Sequence, residues 1–350
     1  MSSLRALLLL LALGLIGCPP GGTDDDDASN DDDVTDDDDA TGDDDDAVDD
    51  DDVADDDDST MPDAADVQLD GFCPSDRAWG KFQVESLPEY SAVQGQVSEG
   101  VVPNSILEVV IDSGGCLLLR RDNPFCDPAC EPGFTCDFDG TCIPYPETQN
   151  LGTVSIDGLT APVDMDPVQP GNNYFAVGLP LQITNPNETV RLRTEGGAFD
   201  PITLWGVGLE DLVLPEELQW SVDEGQPLDL TWPAAAPGAR SQMLFSLNID
   251  QHGVSPATLF CEFPDTGSAT VPAEVISGLF GVGVSGFPFG ALTRRTVDSE
   301  VVGDNGEGCV EFAISSPRSV DVDVVGYIPC DLMTPCPDGL ECNLEIGLCL

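Results

Sequence analysis

Short runs in which apolar and polar residues alternate, separated by turn residues, make up most of the chain after residue 72. Val190 and Leu192 alternate with arginines, and the valines of 320–324 alternate with aspartates. Alternation of this kind is typical of strands with one buried face and one face in water. The spacing of the runs and their turns, rich in glycine and proline, favour an all-β fold, an antiparallel β-sandwich.

Thirteen such runs are predicted to be strands, and one further segment is predicted to be a helix. The helix covers Pro272 to Phe280, with proline near its first turn and Gly281 after its end. Four strands fall in 71–121, which predicts a small antiparallel unit, and nine fall in 147–329, which predicts the sandwich itself. The predicted strands are 79–84, 92–97, 106–111, 116–119, 154–156, 174–177, 189–193, 202–205, 228–232, 243–249, 258–263, 309–314 and 320–327.

A separate apolar run lies at the N-terminus. Arg5 precedes an unbroken apolar segment from Ala6 to Ile16, which is typical of a secretory signal and is shorter than the roughly 20 residues of a membrane-spanning helix. The run ends in Leu15-Ile16-Gly17-Cys18, which resembles the lipobox of bacterial lipoproteins. The resemblance implies removal of residues 1–17 and attachment to a membrane through lipid on Cys18. An ordinary signal peptide with a chance cysteine is the alternative.

Residues 18–70 form an acidic, low-complexity segment. Runs of aspartate begin at residues 24, 31, 36, 43, 49 and 55, with small residues between them. Such a segment has too little apolar surface to fold, and repulsion between its charges extends it, so we expect a disordered tether. It lacks the spaced carboxylates and the glutamate of a calcium loop. We therefore expect no cofactor, only weak and non-specific binding of Ca²⁺ or Mg²⁺.

Two short segments, 122–146 and 330–350, each contain four cysteines and leave no room for a hydrophobic core, so cross-links must hold them. Both open with Cys-Asp and place a glycine and a large apolar residue shortly before the third cysteine, which indicates an internal repeat. They resemble small EGF-like modules of secreted proteins. Four cysteines allow three pairings, and all three stay open here. The cysteines are Cys126, Cys130, Cys136, Cys142, Cys330, Cys336, Cys342 and Cys349.

The chain has 13 cysteines, and setting Cys18 aside leaves an even number. In an exported protein these are expected to form disulfides, whereas four-thiolate zinc sites would need reduced thiols and closer pairs. The simplest pairing of the remaining four joins Cys73 to Cys116 and Cys261 to Cys309. A bond from Cys73 or Cys116 into the neighbouring module is the alternative.

Acidic residues dominate the charge of the whole chain, which is −55. Residues 71–350 hold 40 acidic and 10 basic side chains, so this part alone carries −30. A polyanion repels phosphate backbones, which argues against nucleic acid as a partner. The single histidine also excludes zinc sites that are built from several histidines.

One motif suggests catalysis. Asp265-Thr266-Gly267-Ser268 resembles the signature of aspartic peptidases, which need two carboxylates that share a proton. Asp112-Ser113-Gly114 supplies a second candidate loop. The chain departs from the family pattern at Phe263-Pro264, and Asp-Thr-Gly is also a common turn sequence. The resemblance implies a hydrolase only if Asp112 and Asp265 meet.

Three other groups favour a structural interpretation. His252 and Ser255 lie near each other without a nucleophile motif, which indicates a surface turn rather than a catalytic triad. Residues 137–140 contain part of a calcium-loop pattern, but a turn within the cysteine-rich module explains them better. Tryptophans that line a sugar-binding face are the alternative to tryptophans in a sandwich core, which we favour. They are Trp205, Trp220 and Trp232.

These features together predict a lipid-anchored protein of the bacterial cell envelope, at the outer membrane or cell surface. We expect a non-catalytic binding or structural module of the adhesin type, whose partner is a protein or a glycan. An envelope hydrolase that uses Asp112 and Asp265 is the alternative function.

Overall fold

The computed structural model describes residues 61–249 and 257–350. Cys18, most of the predicted tether, and the pair His252 and Ser255 lie outside the described residues. Among the described residues no helix is both long and apolar enough to cross a membrane.

Strands make up nearly all of the regular structure, which confirms the predicted all-β class. In the described residues there is one α-helix, α1, which spans Ala273–Val282, close to its predicted position, and Pro103–Ser105 form a 3₁₀ turn. The strands in the described part of the chain are β1 Ala78–Ser86, β2 Ser91–Val97, β3 Leu107–Ser113, β4 Cys116–Arg121, β5 Phe134–Cys136, β6 Cys142–Pro144, β7 Val154–Asp157, β8 Val163–Met165, β9 Tyr174–Ala176, β10 Thr189–Thr194, β11 Thr203–Val207, β12 Gln219–Val222, β13 Leu228–Thr231, β14 Gln242–Asn248, β15 Ala257–Pro264, β16 Ser268–Val271, β17 Phe289–Val302, β18 Gly308–Val324, β19 Cys342–Asn343 and β20 Leu348–Cys349.

A large sheet runs through the whole body in the order β3-β4-β15-β14-β17-β18-β1-β2-β9, with β12 also paired to β18. A second sheet has the order β11-β10-β7-β8, and β13 pairs with β16. Most neighbours are antiparallel, as predicted, but β1 and β12 both run parallel to β18. They pair with successive parts of it, since β1 lies beside 309–315 and β12 beside 321–324.

The long hairpin of β17 and β18 lies at the centre of the large sheet. The sequence pattern misses β17 altogether and predicts β18 as two strands. The inward side chains of β17 include Arg294, Thr296 and Asp298, which interrupt the apolar alternation, although all three are buried. In β18 the two predicted strands join through Ser315 and Ser316, which are also buried.

Two hydrophobic cores share this hairpin. One packs beneath α1 and contains Phe245 and Leu279, and the other lies between the two sheets and contains Leu192 and Phe312. Strand β17 contributes Leu292 to the first core and, near its other end, Val302 to the second. The polar side chains of β17 therefore lie between the two apolar regions.

Residues 71–121 do not form a separate unit, contrary to the sequence-based division. Strands β1 and β2 extend the large sheet beyond β18, whereas β3 and β4 extend it on the opposite side beyond β15. The prediction was wrong because short local runs identify strands but do not identify the distant strands they pair with. The predicted domains 71–121 and 147–329 thus share one sheet.

The N-terminal segment, defined here as residues 61–77, packs against this body. Ala64 and Val67 are buried, and Arg240 Nη1 donates to the carbonyls of both. The amide of Asp70 donates to Asp298 Oδ1 at 3.0 Å. Residues 61–70, which fall inside the range assigned to the tether, therefore pack against the folded body.

Two disulfides connect segments that are distant in sequence. Cys73 bonds Cys309, and Cys116 bonds Cys261, with separations of 236 and 145 residues. The simplest sequence-based pairing, Cys73 with Cys116 and Cys261 with Cys309, is wrong. It fails because Cys116 lies opposite Cys261 in the β4–β15 pair, while the chain at Cys73 lies beside the start of β18.

The two cysteine-rich modules have the same architecture. In each, the first cysteine bonds the third and the second bonds the fourth, and the third and fourth lie opposite each other in a two-stranded hairpin. Gly133 and Gly339 occupy equivalent turns with φ of 91° and 92°, a conformation that favours glycine. The internal repeat predicted from the sequence is therefore a structural repeat as well.

Candidate functional site

Asp265, the first candidate catalytic residue, lies in a buried ion pair. Its carboxylate accepts hydrogen bonds from Arg294 Nε at 2.6 Å and from Arg294 Nη2 at 3.3 Å. Trp232 Nε1 donates to it at 2.8 Å and Ser241 Oγ at 2.7 Å. The side chains of Asp265 and Arg294 are only 3% and 2% exposed. Four donor atoms from three side chains thus occupy this carboxylate.

The electrostatics of this site oppose acid–base catalysis by Asp265. Burial alone raises the pKa of its carboxyl, but hydrogen bonds from Arg294, Ser241 and Trp232, with the charge of Arg294, hold the pKa below its ordinary value. An aspartic peptidase needs a carboxyl that gives and takes a proton, and an effective general base has a pKa near the working pH. Asp265 instead remains ionised and serves as the counterion of Arg294.

Asp112, the second candidate, lies elsewhere. It is exposed on the edge strand β3, opposite Leu117, which in turn pairs with Phe260 of β15. Asp265 lies five residues beyond Phe260, so a strand rise of about 3.3 Å per residue separates the two aspartates by roughly 16 Å along the sheet. The structure therefore does not bring Asp112 and Asp265 together.

The tryptophans belong mainly to the cores. Trp220 and Trp232 are buried in the core beneath α1, and Trp220 packs against Phe245 with ring centroids 5.0 Å apart. Trp205 is half-buried, with the guanidinium of Arg191 lying 5.9 Å from its ring centre. The core interpretation is confirmed for Trp220 and Trp232, and the three rings do not share one exposed face.

The calcium-like fragment 137–140 forms the turn of the β5–β6 hairpin, as predicted. The carboxylate of Asp139 accepts hydrogen bonds from the amide and the hydroxyl of Thr141, and the amide of Gly140 donates to the carbonyl of Asp137. The two hydrogen bonds from Thr141 lower the pKa of Asp139. The cysteine sulfurs that cluster in each module are bonded to one another as disulfides, so they offer no thiolates to a metal.

The polar side chains of β17 hold the edge of the second sheet. Asp298 Oδ2 accepts the amide of Trp205 at 2.7 Å, and the hydroxyl of Thr296 bonds both the amide and the carbonyl of Val207. Arg294 continues the series by donating to the carbonyl of Glu210 at 3.1 Å. Asp298 and Thr296 thus satisfy backbone groups of the edge strand β11 that would otherwise be buried without partners, whereas Arg294 bonds a carbonyl beyond the end of that strand.

Two carboxyls of the central hairpin, those of Asp298 and Glu311, have a pKa that is raised by burial. Burial raises the pKa of Asp298 although the amides of Asp70 and Trp205 partly offset it, and burial likewise raises the pKa of Glu311. A carboxyl with a raised pKa binds more protons in the folded state, so its contribution to stability grows as the pH falls.

We therefore expect the free energy of unfolding to increase as the pH falls from about 7 toward about 5, measured by urea denaturation. The reduction of the chain's negative self-repulsion acts in the same direction. An Asp298→Asn variant loses one acceptor and is less stable at both pH values, but its gain on acidification should be smaller. An equal gain in the variant would exclude a contribution from Asp298.

Most basic side chains are occupied within the protein. Eight of the ten bond to carboxylates or backbone carbonyls of the chain itself. Acidic side chains are four times as numerous, and most of them face solvent. The surface is therefore negative with few available cations, which favours partners that are cationic or apolar.

Exposed apolar side chains concentrate in the cysteine-rich modules. The two modules hold 10 of the 25 large apolar side chains that are exposed in the described residues, although they are only about a sixth of those residues. The first module exposes mainly aromatic rings and the second mainly aliphatic chains. They are Phe125, Phe134, Phe138, Tyr145, Leu332, Met333, Leu340, Leu344, Ile346 and Leu350.

Sequence reasoning missed two of these features. Arg294 occupies one of the alternate positions from Leu292 to Asp298. Accepting polar residues at these alternate positions would have predicted the strand and an inward Arg294. Leu332 and Met333 are adjacent apolar residues in a module too small to bury them, which predicts exposure. None of Arg294, Leu332 and Met333 belongs to a recognisable motif.

No protein-family model matches the chain, and no curated protein sequence matches it significantly. The six disulfides of the described residues are typical of an extracellular or envelope protein, in agreement with the predicted compartment.

Proposed function

We propose that this chain is a lipid-anchored protein of the bacterial cell envelope, displayed at the outer membrane or cell surface as a non-catalytic binding module. The lipid on Cys18 attaches it to the membrane, the acidic tether extends it, and the disulfide-stabilised β body meets a partner. The observation that carries the binding role is the concentration of exposed apolar side chains on the two cysteine-rich modules.

The candidate catalytic groups also favour binding over catalysis. The carboxylate of Asp265 is saturated by donors, and Asp112 lies on a distant edge strand. Asp298 and Thr296 of β17 bond to the backbone of a neighbouring strand, so they are occupied within the fold. Large apolar side chains that remain exposed on a cross-linked scaffold are typical of protein–protein contact surfaces.

Replacing Cys18 with serine tests the anchor. The hydroxyl cannot accept the lipid through a thioether, so we expect the protein to lose its acyl chains and to leave the membrane fraction. Intact mass of the extracted protein, before and after reduction, reports acylation and the number of disulfides together. Ser29→Ala, a change within the acidic segment, is the control and should leave membrane attachment unchanged. A Cys18→Ser protein that is still processed and still sediments with membranes would contradict the proposal.

A further inference from the structure

The C-terminal module forms an open groove with the segment that precedes β17. The groove encloses about 530 Å³. Leu332 and Met333 are 88% and 91% exposed, and Leu344 is 57% exposed. Phe287 completes the apolar lining from outside the module. Four large apolar side chains thus face one concave surface in water.

Cross-links and backbone bonds hold the groove in shape. Cys330 bonds Cys342 and Cys336 bonds Cys349, so the module cannot collapse onto its own apolar side chains. The amide of Gly286 donates to the carbonyl of Ile346 at 2.8 Å, which joins the module to the segment that carries Phe287. A preformed surface avoids much of the ordering cost of binding.

The charge around the groove is negative. Asp331 lies in its wall, where its Oδ1 accepts the amides of Met333 and Thr334 at 2.8 and 2.6 Å. These bonds lower the pKa of Asp331, so the carboxylate is ionised. The module contains three more acidic residues and no basic one.

The occupant of the groove must match both its apolar lining and its negative charge. A second copy of the chain would add its own large negative charge, and an anionic lipid surface would be repelled in the same way. We propose that the groove binds a partner protein through a cationic apolar segment, in which leucine- or methionine-like side chains alternate with lysine or arginine. This inference rests on the proposed binding function and adds the location and the chemical class of partner.

Methionine methyl signals provide a local measurement. We would label the mature full chain with ¹³C-methyl methionine, hold it in zwitterionic nanodiscs, and add a short peptide of leucine and lysine. The Met333 signal, assigned with Met333→Leu, should move saturably, whereas the buried Met165 and Met243 should not. Peptides with serine in place of leucine, or glutamate in place of lysine, should bind at least about tenfold more weakly.

Three variants separate the contributions. Leu332→Asp should weaken binding about tenfold, because it removes apolar contact and adds charge to an apolar lining. Asp331→Asn keeps the Oδ1 acceptor for both amides and removes only the charge, so it should weaken binding about threefold. Val177→Asp is the matched control, since Val177 is 75% exposed and lies outside both cysteine-rich modules, and it should leave binding unchanged.

Several results would overturn the inference. They are equal binding of the glutamate peptide, equal loss in the Val177→Asp control, no response of Met333 to the peptide, and a concentration-dependent shift of Met333 without peptide, which would indicate self-association. The anchoring test at Cys18 is independent of these results. If Cys18→Ser detaches the protein while the groove ignores the peptide, the anchoring stands and only this docking site is lost.

Discussion

Replacing Asp265 with alanine is expected to lower the free energy of unfolding by about 3–5 kcal/mol. The change leaves the guanidinium of Arg294, which is 2% exposed, without its counterion in the interior. It also removes the acceptor for Trp232 and Ser241, so their buried donors lose their partner. Urea denaturation followed by tryptophan fluorescence measures the loss.

An exposed ion pair provides the matched control for this variant. Asp157 bonds Arg191 and Arg193 at 3.1 and 2.9 Å, but its side chain is 37% exposed. Solvent screens that interaction, so Asp157→Ala should cost less than about 1 kcal/mol. Equal losses in the two variants would contradict the assignment of Asp265 as a buried counterion. Retained stability together with lost hydrolytic activity would revive the peptidase hypothesis.

Removing the disulfide between Cys73 and Cys309 should also cost much stability. The Cys73–Cys309 bond closes a loop of 236 residues, and this loop contains the whole 145-residue loop of Cys116–Cys261. While the inner bond is intact, its 145 residues do not count, so the outer bond closes a loop of 91 residues. Closing a loop of this length constrains the unfolded chain by about 4–5 kcal/mol in the chain-entropy model. The Cys73→Ala, Cys309→Ala double variant should lose that much in urea denaturation.

The short disulfide between Cys126 and Cys136 is the control for loop length. Its separation is 10 residues, and the same relation gives about 2–3 kcal/mol, restricted to the first module. We therefore expect this double variant to leave the main unfolding transition in place. If it shifts the main transition as far as the long-range variant does, loop closure does not explain the effect.

The local pattern of the sequence predicted strands well where burial and alternation coincide. Strand β10 was found because Val190 and Leu192 are buried between charged neighbours. Strand β17 was missed because Arg294 and Asp298 occupy inward positions, where their partners come from β11 and from loops that no local pattern identifies. The pattern therefore fails where burial is achieved through polar contacts.

Pairing between distant segments was the harder problem. The cysteine-rich modules were predictable, since four cysteines in a short segment must cross-link locally. The partner of Cys73 was not, because it depends on β1 lying parallel to β18, and parallel neighbours leave no trace in adjacent sequence. The site followed the same rule: the motif around Asp265 was visible, but Arg294, which determines its role, is 29 residues away.

The bond between Cys73 and Cys309 also has a mechanical consequence. Cys73 lies just before the turn into β1, and Cys309 lies near the start of β18, one strand of the central hairpin. A pull on the N-terminus is therefore transmitted covalently into the middle of the sheet and cannot peel β1 away first. The part that yields under load is the stretch before residue 73, which is held by hydrogen bonds such as those from Arg240. The folded body can thus bear a pulling force at its N-terminal end without unfolding.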